Sequence, residues 1–121
     1  MNGRFADFAS DPAYARQVVR SHLTGVASGV VENAQTIVSE LVTNAIVHGS
    51  GEASLVIEVS DSCLHVEVLD ADPQVEIEPL NVEPSSARGR GLAIVDALAS
   101  CWGVERRAVG KSVWFDLDLS P

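Results

Sequence analysis

Apolar residues recur along this chain with two periods, and the change between them divides it. Ala15, Val18, Val19 and Leu23 keep helical spacing behind Asp11-Pro12. An acceptor side chain with proline at the first helical position is a helix start, so a helix is predicted from Pro12 to Leu23. Gly25 and Gly29 punctuate the next stretch, and a second helix is predicted from Val30 to Val47, stopped by Gly49-Ser50-Gly51. The period then drops to two. Leu55, Ile57 and Val59 alternate with Val56 and Glu58, and Leu64, Val66 and Val68 alternate with His65 and Glu67. With Asp61-Ser62 as the turn, these are two strands of a hairpin. Leu92, Val95 and Leu98 form the stripe of a third helix that ends at Ala99. Trp102 to Ala108 and Val113 to Leu119 are predicted strands joined at Gly110-Lys111, and residues 1–10 are a loose or strand-like lead-in.

Helices and hairpins in this order predict a single domain over residues 1–121, an α+β two-layer sandwich with a mainly antiparallel mixed sheet covered on one face by helices. Residues 71–88 interrupt the pattern. Pro73, Pro79 and Pro84 break regular structure there, and Glu76, Glu78 and Glu83 keep the stretch wet. A long loop inside a compact domain carries function or disorder, and this one leads straight into Gly89-Arg90-Gly91, which suggests a lid.

Composition narrows the picture. The chain has 121 residues and is 46% hydrophobic but only 5% aromatic, so aliphatic side chains must fill its core. A net charge of −9 argues against nucleic acid and against anionic membrane surfaces. No apolar run is long enough to span a bilayer, and a cytoplasmic location is expected. Cys63 and Cys101 fit two small buried residues better than a disulfide, and Cys63 with His65 lacks further ligands for a metal.

Candidate chemistry gathers in three places. On the second helix Ala34, Val31, Val38, Leu41, Val42 and Ala45 make the apolar face, while Asn33, Thr36, Ser39, Glu40, Thr43, Asn44 and, at the edge, His48 make the other. An exposed helix face normally carries several charges; this one carries Glu40 alone. Glu40, Asn44 and His48 stack at i, i+4 and i+8, and a carboxylate beside a carboxamide suits proton transfer or a hard cation. Asp70 falls on the same side of its strand as Leu64, Val66 and Val68, which sets a carboxylate at the end of an apolar row. Gly89-Arg90-Gly91-Leu92 opens the third helix, where close-approaching N–H groups favour an anion. Together they predict a polar pocket between the second helix and the glycine loop.

Glu40-Leu41-Val42-Thr43-Asn44-Ala45-Ile46-Val47-His48-Gly49 resembles the asparagine box of the histidine-kinase-like (Bergerat) ATPase fold, Gly89-Arg90-Gly91-Leu92-Ala93-Ile94-Val95 resembles its second glycine box, and Gly110-Lys111-Ser112-Val113-Trp114-Phe115 resembles its closing motif. More narrowly the chain is similar to stand-alone anti-sigma-factor serine/threonine kinases of the RsbW and SpoIIAB type. The resemblance implies ATP and Mg2+ as cofactors, Asn44 as the metal ligand and Glu40 as the general base on a partner serine. It implies Asp70 on the adenine amino group, Gly89, Arg90, Gly91 and Leu92 around the phosphates, and His48 lining the phosphate side. It further implies a sigma factor and a STAS-domain anti-anti-sigma protein as partners, transcription regulation, and a homodimer. One segment departs from the family: Asp70-Ala71-Asp72-Pro73-Gln74 has no glycine where the first glycine box has two. Three readings therefore stand side by side, namely a Mg·ATP-dependent protein kinase, a degenerate module that binds a protein partner with weak or no ATP binding, and an ATP hydrolase acting as a switch.

Overall fold

The computed structural model describes residues 3–48, 52–70, 90–106 and 110–120. In chain order these form β1 (Gly3–Ala9), α1 (Pro12–Ser21), α2 (Ser28–His48), β2 (Ala53–Val59), β3 (Cys63–Asp70), α3 (Arg90–Leu98), β4 (Cys101–Arg106) and β5 (Lys111–Asp118). The lead-in is thus a full strand, paired antiparallel with β2 from Gly3 opposite Val59 to Ala9 opposite Ala53. The segment 71–88, read from the sequence as a lid, lies outside the described residues.

Local chemistry sets the boundaries. Asp11 caps α1 by accepting from the Tyr14 N–H at 2.8 Å, with Pro12 in the first turn. Gly25, at φ 85°, takes the left-handed conformation that turns the chain from α1 into α2. The carbonyl of Ala27 accepts from the N–H groups of Val30 and Val31, so α2 starts at Ser28, two residues before the apolar pattern suggests. Gly110, at φ 77°, supplies the last tight turn, and β5 already begins at Lys111.

The five strands lie in the order β1-β2-β3-β5-β4, and all four neighbouring pairs are antiparallel. The chain leaves β3, crosses through α3, lays β4 at the edge, and returns with β5 between β3 and β4. Alternation decides burial. Along β3, Leu64, Val66, Val68 and Asp70 are buried while the residues between them are half-exposed. The inward residues of β2, β3 and β5 form one core with Ala34, Ile37, Val38, Leu41, Val42 and Ala45 of α2, Ala15 and Val19 of α1, and Val95 of α3. Ile37 belongs to that core although the expected apolar face omits it, and Val31, expected there, is half-buried.

The other sheet face is built differently. Trp114 lies across Gly103, where an added Cβ would sit 2.8 Å from the indole, so only glycine leaves room for it. His65 hydrogen-bonds Asp116 through Nδ1 and lies beside the Trp114 ring, 5.6 Å between centroids. The cysteines correct the sequence reading in part: both are free, but Cys63 is half-buried and Cys101, the first residue of β4, is exposed.

Two fully buried residues of β5 have opposite weights. Phe115 fills the centre of the core, whereas the hydroxyl of Ser112 has no hydrogen-bond partner. Urea unfolding followed by circular dichroism is expected to show Phe115→Ala losing about 3–5 kcal/mol of stability. Ser112→Ala is expected to lose nothing measurable, because removing an unsatisfied buried hydroxyl offsets about 1–3 kcal/mol of desolvation.

Candidate functional site

Connectivity brings Glu40, Asn44, Asp70 and the start of α3 to one pole of the sheet. Helix α2 ends at His48 and β2 begins at Ala53, whose neighbour Ser54 stands opposite Leu69, next to Asp70. The C-terminal half of α2, with Glu40 and Asn44, therefore lies at the pole where β3 ends. Helix α3 ends at Leu98 and β4 starts at Cys101, opposite Asp116 and at the far pole. Its nine residues span about 13 Å along the sheet, so its N-terminus returns to the Asp70 pole. A carboxylate at a strand end, the Glu40–Asn44 pair and a helix N-terminus thus share one end of the molecule.

The two flanks of α2 do different work. Gln35 and Ser39 face α1: Gln35 Nε2 donates to the Arg16 carbonyl at 3.2 Å, and the Arg16 guanidinium donates to Ser39 Oγ at 2.9 Å. The sequence groups Ser39 with the polar face of Glu40, and the structure moves it to the seam between helices. At 100° per residue Glu40 and Asn44 fall on the opposite flank, and both are half-buried. His48 is the last residue of α2. Its side chain, like those of Arg90 and Gly91, lies outside the described residues, as does Gly89 entirely. Leu92 is half-buried and packs on the core, which seats the first turn of α3.

Asp70 is the most constrained of these groups. Only 4% of it is exposed, and it continues the buried row of Leu64, Val66 and Val68. Lys111 stands directly opposite it on β5. Sequence reasoning treats Lys111 as a turn residue; its place after the positive-φ Gly110 is the signal that it could open a strand instead. A carboxylate in so apolar a row is held only where donors compensate its desolvation, and Asp70 is not unpartnered.

A second cluster of ionisable groups lies on the other sheet face. Asp116 holds His65 Nδ1 with one oxygen and accepts from the Cys101 thiol with the other at 3.4 Å, while Glu67 stands 4.0 Å from His65 Nε2. The hydrogen bond to Asp116, then burial and the Asp116 charge, push the Cys101 thiol up from its ordinary pKa. A thiol held protonated in this way is a poor nucleophile. Among the described residues no three His, Cys, Asp or Glu side chains are placed to hold a metal ion.

The chain matches the histidine kinase-like ATPase domain family over residues 7–117, and it belongs to that family. No curated protein matches the chain. No helix among the described residues is long and apolar enough to cross a membrane.

In a Cys63→Ser background, Asp116→Asn is expected to lower the Cys101 pKa and speed its alkylation by iodoacetamide several-fold near pH 8, because the carboxylate that opposes the thiolate is gone. An unchanged rate in a mass-spectrometric time course would remove Asp116 as the cause.

Proposed function

We propose that this domain is a Mg·ATP-dependent serine/threonine kinase of the anti-sigma type, which modifies a STAS-domain anti-anti-sigma protein and otherwise sequesters a sigma factor. The observation that carries the reading is the half-buried Glu40–Asn44 pair on the α2 flank turned away from α1, at the pole shared by Asp70 and the start of α3. The donor set suits the nucleotide. A buried carboxyl at a strand end is a hydrogen-bond acceptor for an exocyclic amine, a carboxamide oxygen suits a hard cation, and a helix N-terminus suits phosphate.

Bound ATP supplies the phosphoryl group. The residues of this chain do the rest. Asn44 would hold Mg2+ through its side-chain oxygen, and Asp70 would accept from the exocyclic amine of the base. The N–H groups at the start of α3, with Gly89, Arg90, Gly91 and Leu92, would meet the phosphate charge, and His48 would line that side, as the resemblance implies. Glu40 would accept the proton of the partner's serine hydroxyl, whose oxygen takes the γ-phosphoryl group as ADP leaves. Most of the rate in such transfers comes from positioning and charge neutralisation, with a base contributing about 10²–10⁴-fold.

A second reading is favoured by one segment. Asp70-Ala71-Asp72-Pro73-Gln74 lacks the glycines of the first glycine box, and Asp72 adds negative charge beside Asp70. In that reading the domain is a binding module that holds its protein partner without nucleotide chemistry.

Calorimetric titration with ATP, with and without Mg2+, separates the two. The kinase reading expects magnesium-dependent binding that Asn44→Ala weakens at least about tenfold, or about 1.4 kcal/mol. It also expects Glu40→Ala to bind ATP normally while transfer to a serine-bearing partner falls about 100-fold or more. Absence of binding at millimolar ATP would overturn the kinase reading in favour of the binding module.

A further inference from the structure

All three helices contribute to the core on the inward face of the sheet, so among the described residues the reverse face has no second layer. Register fixes what that face carries, because facing residues of an antiparallel pair point to the same side. Trp114 stands opposite Glu67 of β3 and Gly103 of β4. Asp116 is the next outward residue along β5, and Glu105 of β4 faces Ser112, the outward residue before Trp114. Carboxylates therefore stand around the indole on both neighbouring strands and on its own. The cationic side is thin. Among the described residues the outward positions carry Arg4, paired with Glu58 at 3.8 Å, and His65, hydrogen-bonded to Asp116.

The indole itself lies flat on the sheet. A Cβ added at Gly103 would meet Cζ2 and Nε1 at 2.8 Å and Cε2 at 2.9 Å. Three ring atoms at nearly one distance set the ring plane over the glycine, with one π face against the strand. Trp114 is only half-buried, so its uncovered part is the other face. His65 closes one side, 5.6 Å between ring centroids and tilted by 31°. A flat π face among carboxylates attracts a cation over its centre. A guanidinium suits it better than an ammonium: it is planar, weakly hydrated, and donates in its own plane to carboxylates at the rim while it stacks. The hydroxyl of Ser112 is buried on the same side without a hydrogen-bond partner, an acceptor that the fold itself does not use.

We infer that the reverse face of the sheet docks a basic segment of a partner protein, with an arginine guanidinium stacked on Trp114 and held by Glu67 and Glu105. Asp116 already takes His65 with one oxygen and the Cys101 thiol with the other, so it adds charge to the face and no new hydrogen bond. Charge complementarity selects the occupant. Two copies of this face would set carboxylates against carboxylates, and phosphate-bearing surfaces are repelled by them. A cationic polypeptide meets both the charge and the ring. The surface lies across the sheet from α2 and α3, and its docking is independent of the nucleotide pole.

The two tryptophans supply an internal control. Trp102 faces Phe115 on the inward side and gives its indole N–H to Asp96 at 2.9 Å. In NMR titrations of the full chain with acetylated tetra-arginine amide at low salt, the Trp114 indole N–H signal is expected to move saturably while that of Trp102 stays. Tetra-lysine amide is expected to bind several-fold more weakly. Trp114→Leu is expected to weaken tetra-arginine binding roughly fivefold, read by calorimetry. Should that variant fail to fold, the Glu67→Gln, Glu105→Gln pair leaves the indole seated and is expected to weaken binding at least as much. The charge-matched control Glu32→Gln, Glu52→Gln, away from this face, is expected to change binding by less than about twofold. Asn44→Ala is expected to bind the peptide as the parent does, which separates this inference from the kinase reading. A Trp114 signal that does not move at millimolar tetra-arginine would overturn the inference. So would an equal loss in the charge-matched control, or tetra-lysine binding as tightly as tetra-arginine.

Discussion

The central constraint is the strict two-residue alternation of β3 between two antiparallel neighbours. Its inward row runs Leu64, Val66, Val68, Asp70, and the first three meet the apolar face of α2. A slip of one residue against β2 or β5 would turn this row outward and carry His65 and Glu67 into the core. The same register sets Asp70 opposite Lys111 and sends the carboxylate inward at the pole where α2 ends and α3 begins. The position of the candidate site is thus a consequence of how the core packs.

Helix α2 translates that constraint into chemistry by having three kinds of surface. One side packs into the core, one is bound to α1 through Arg16, Gln35 and Ser39, and the remaining flank holds Glu40 and Asn44. Because Arg16 is committed to Ser39, the helix is fixed in rotation by a polar contact as well as by packing. Glu40 and Asn44 can then sit half-buried at fixed spacing, which is what proton transfer and metal binding both require.

Much of this is legible in the sequence. The alternation of Leu64, Val66 and Val68 foretells the inward Asp70, and the helical stripe foretells the core side of α2. Less visible is anything decided by partners distant in sequence. The tie from Ser39 to Arg16 joins two helices and leaves no local signal, so Ser39 reads as part of the Glu40 face. Strand β1 has no clean alternation because it lies at an edge, with Arg4, Phe5, Ala6 and Phe8 all exposed. Cys101 reads as a core residue because small apolar-like residues usually go there, but an edge strand leaves it open. The α2 start lies beyond the apolar pattern because Ala27 caps it with a backbone carbonyl, which any residue supplies.

The position of β5 has a consequence for the order of assembly. Among the described residues it is the last strand in sequence and the next-to-last in the sheet, and β4 pairs with the sheet only through it. While the protein is being synthesised, β1, β2 and β3 can meet early, but β3 keeps an open side and the core lacks Phe115 and Leu117 until β5 emerges. Closure of the domain therefore waits for β5 to emerge from the ribosome, and the pole carrying Asp70 acquires Lys111 only then.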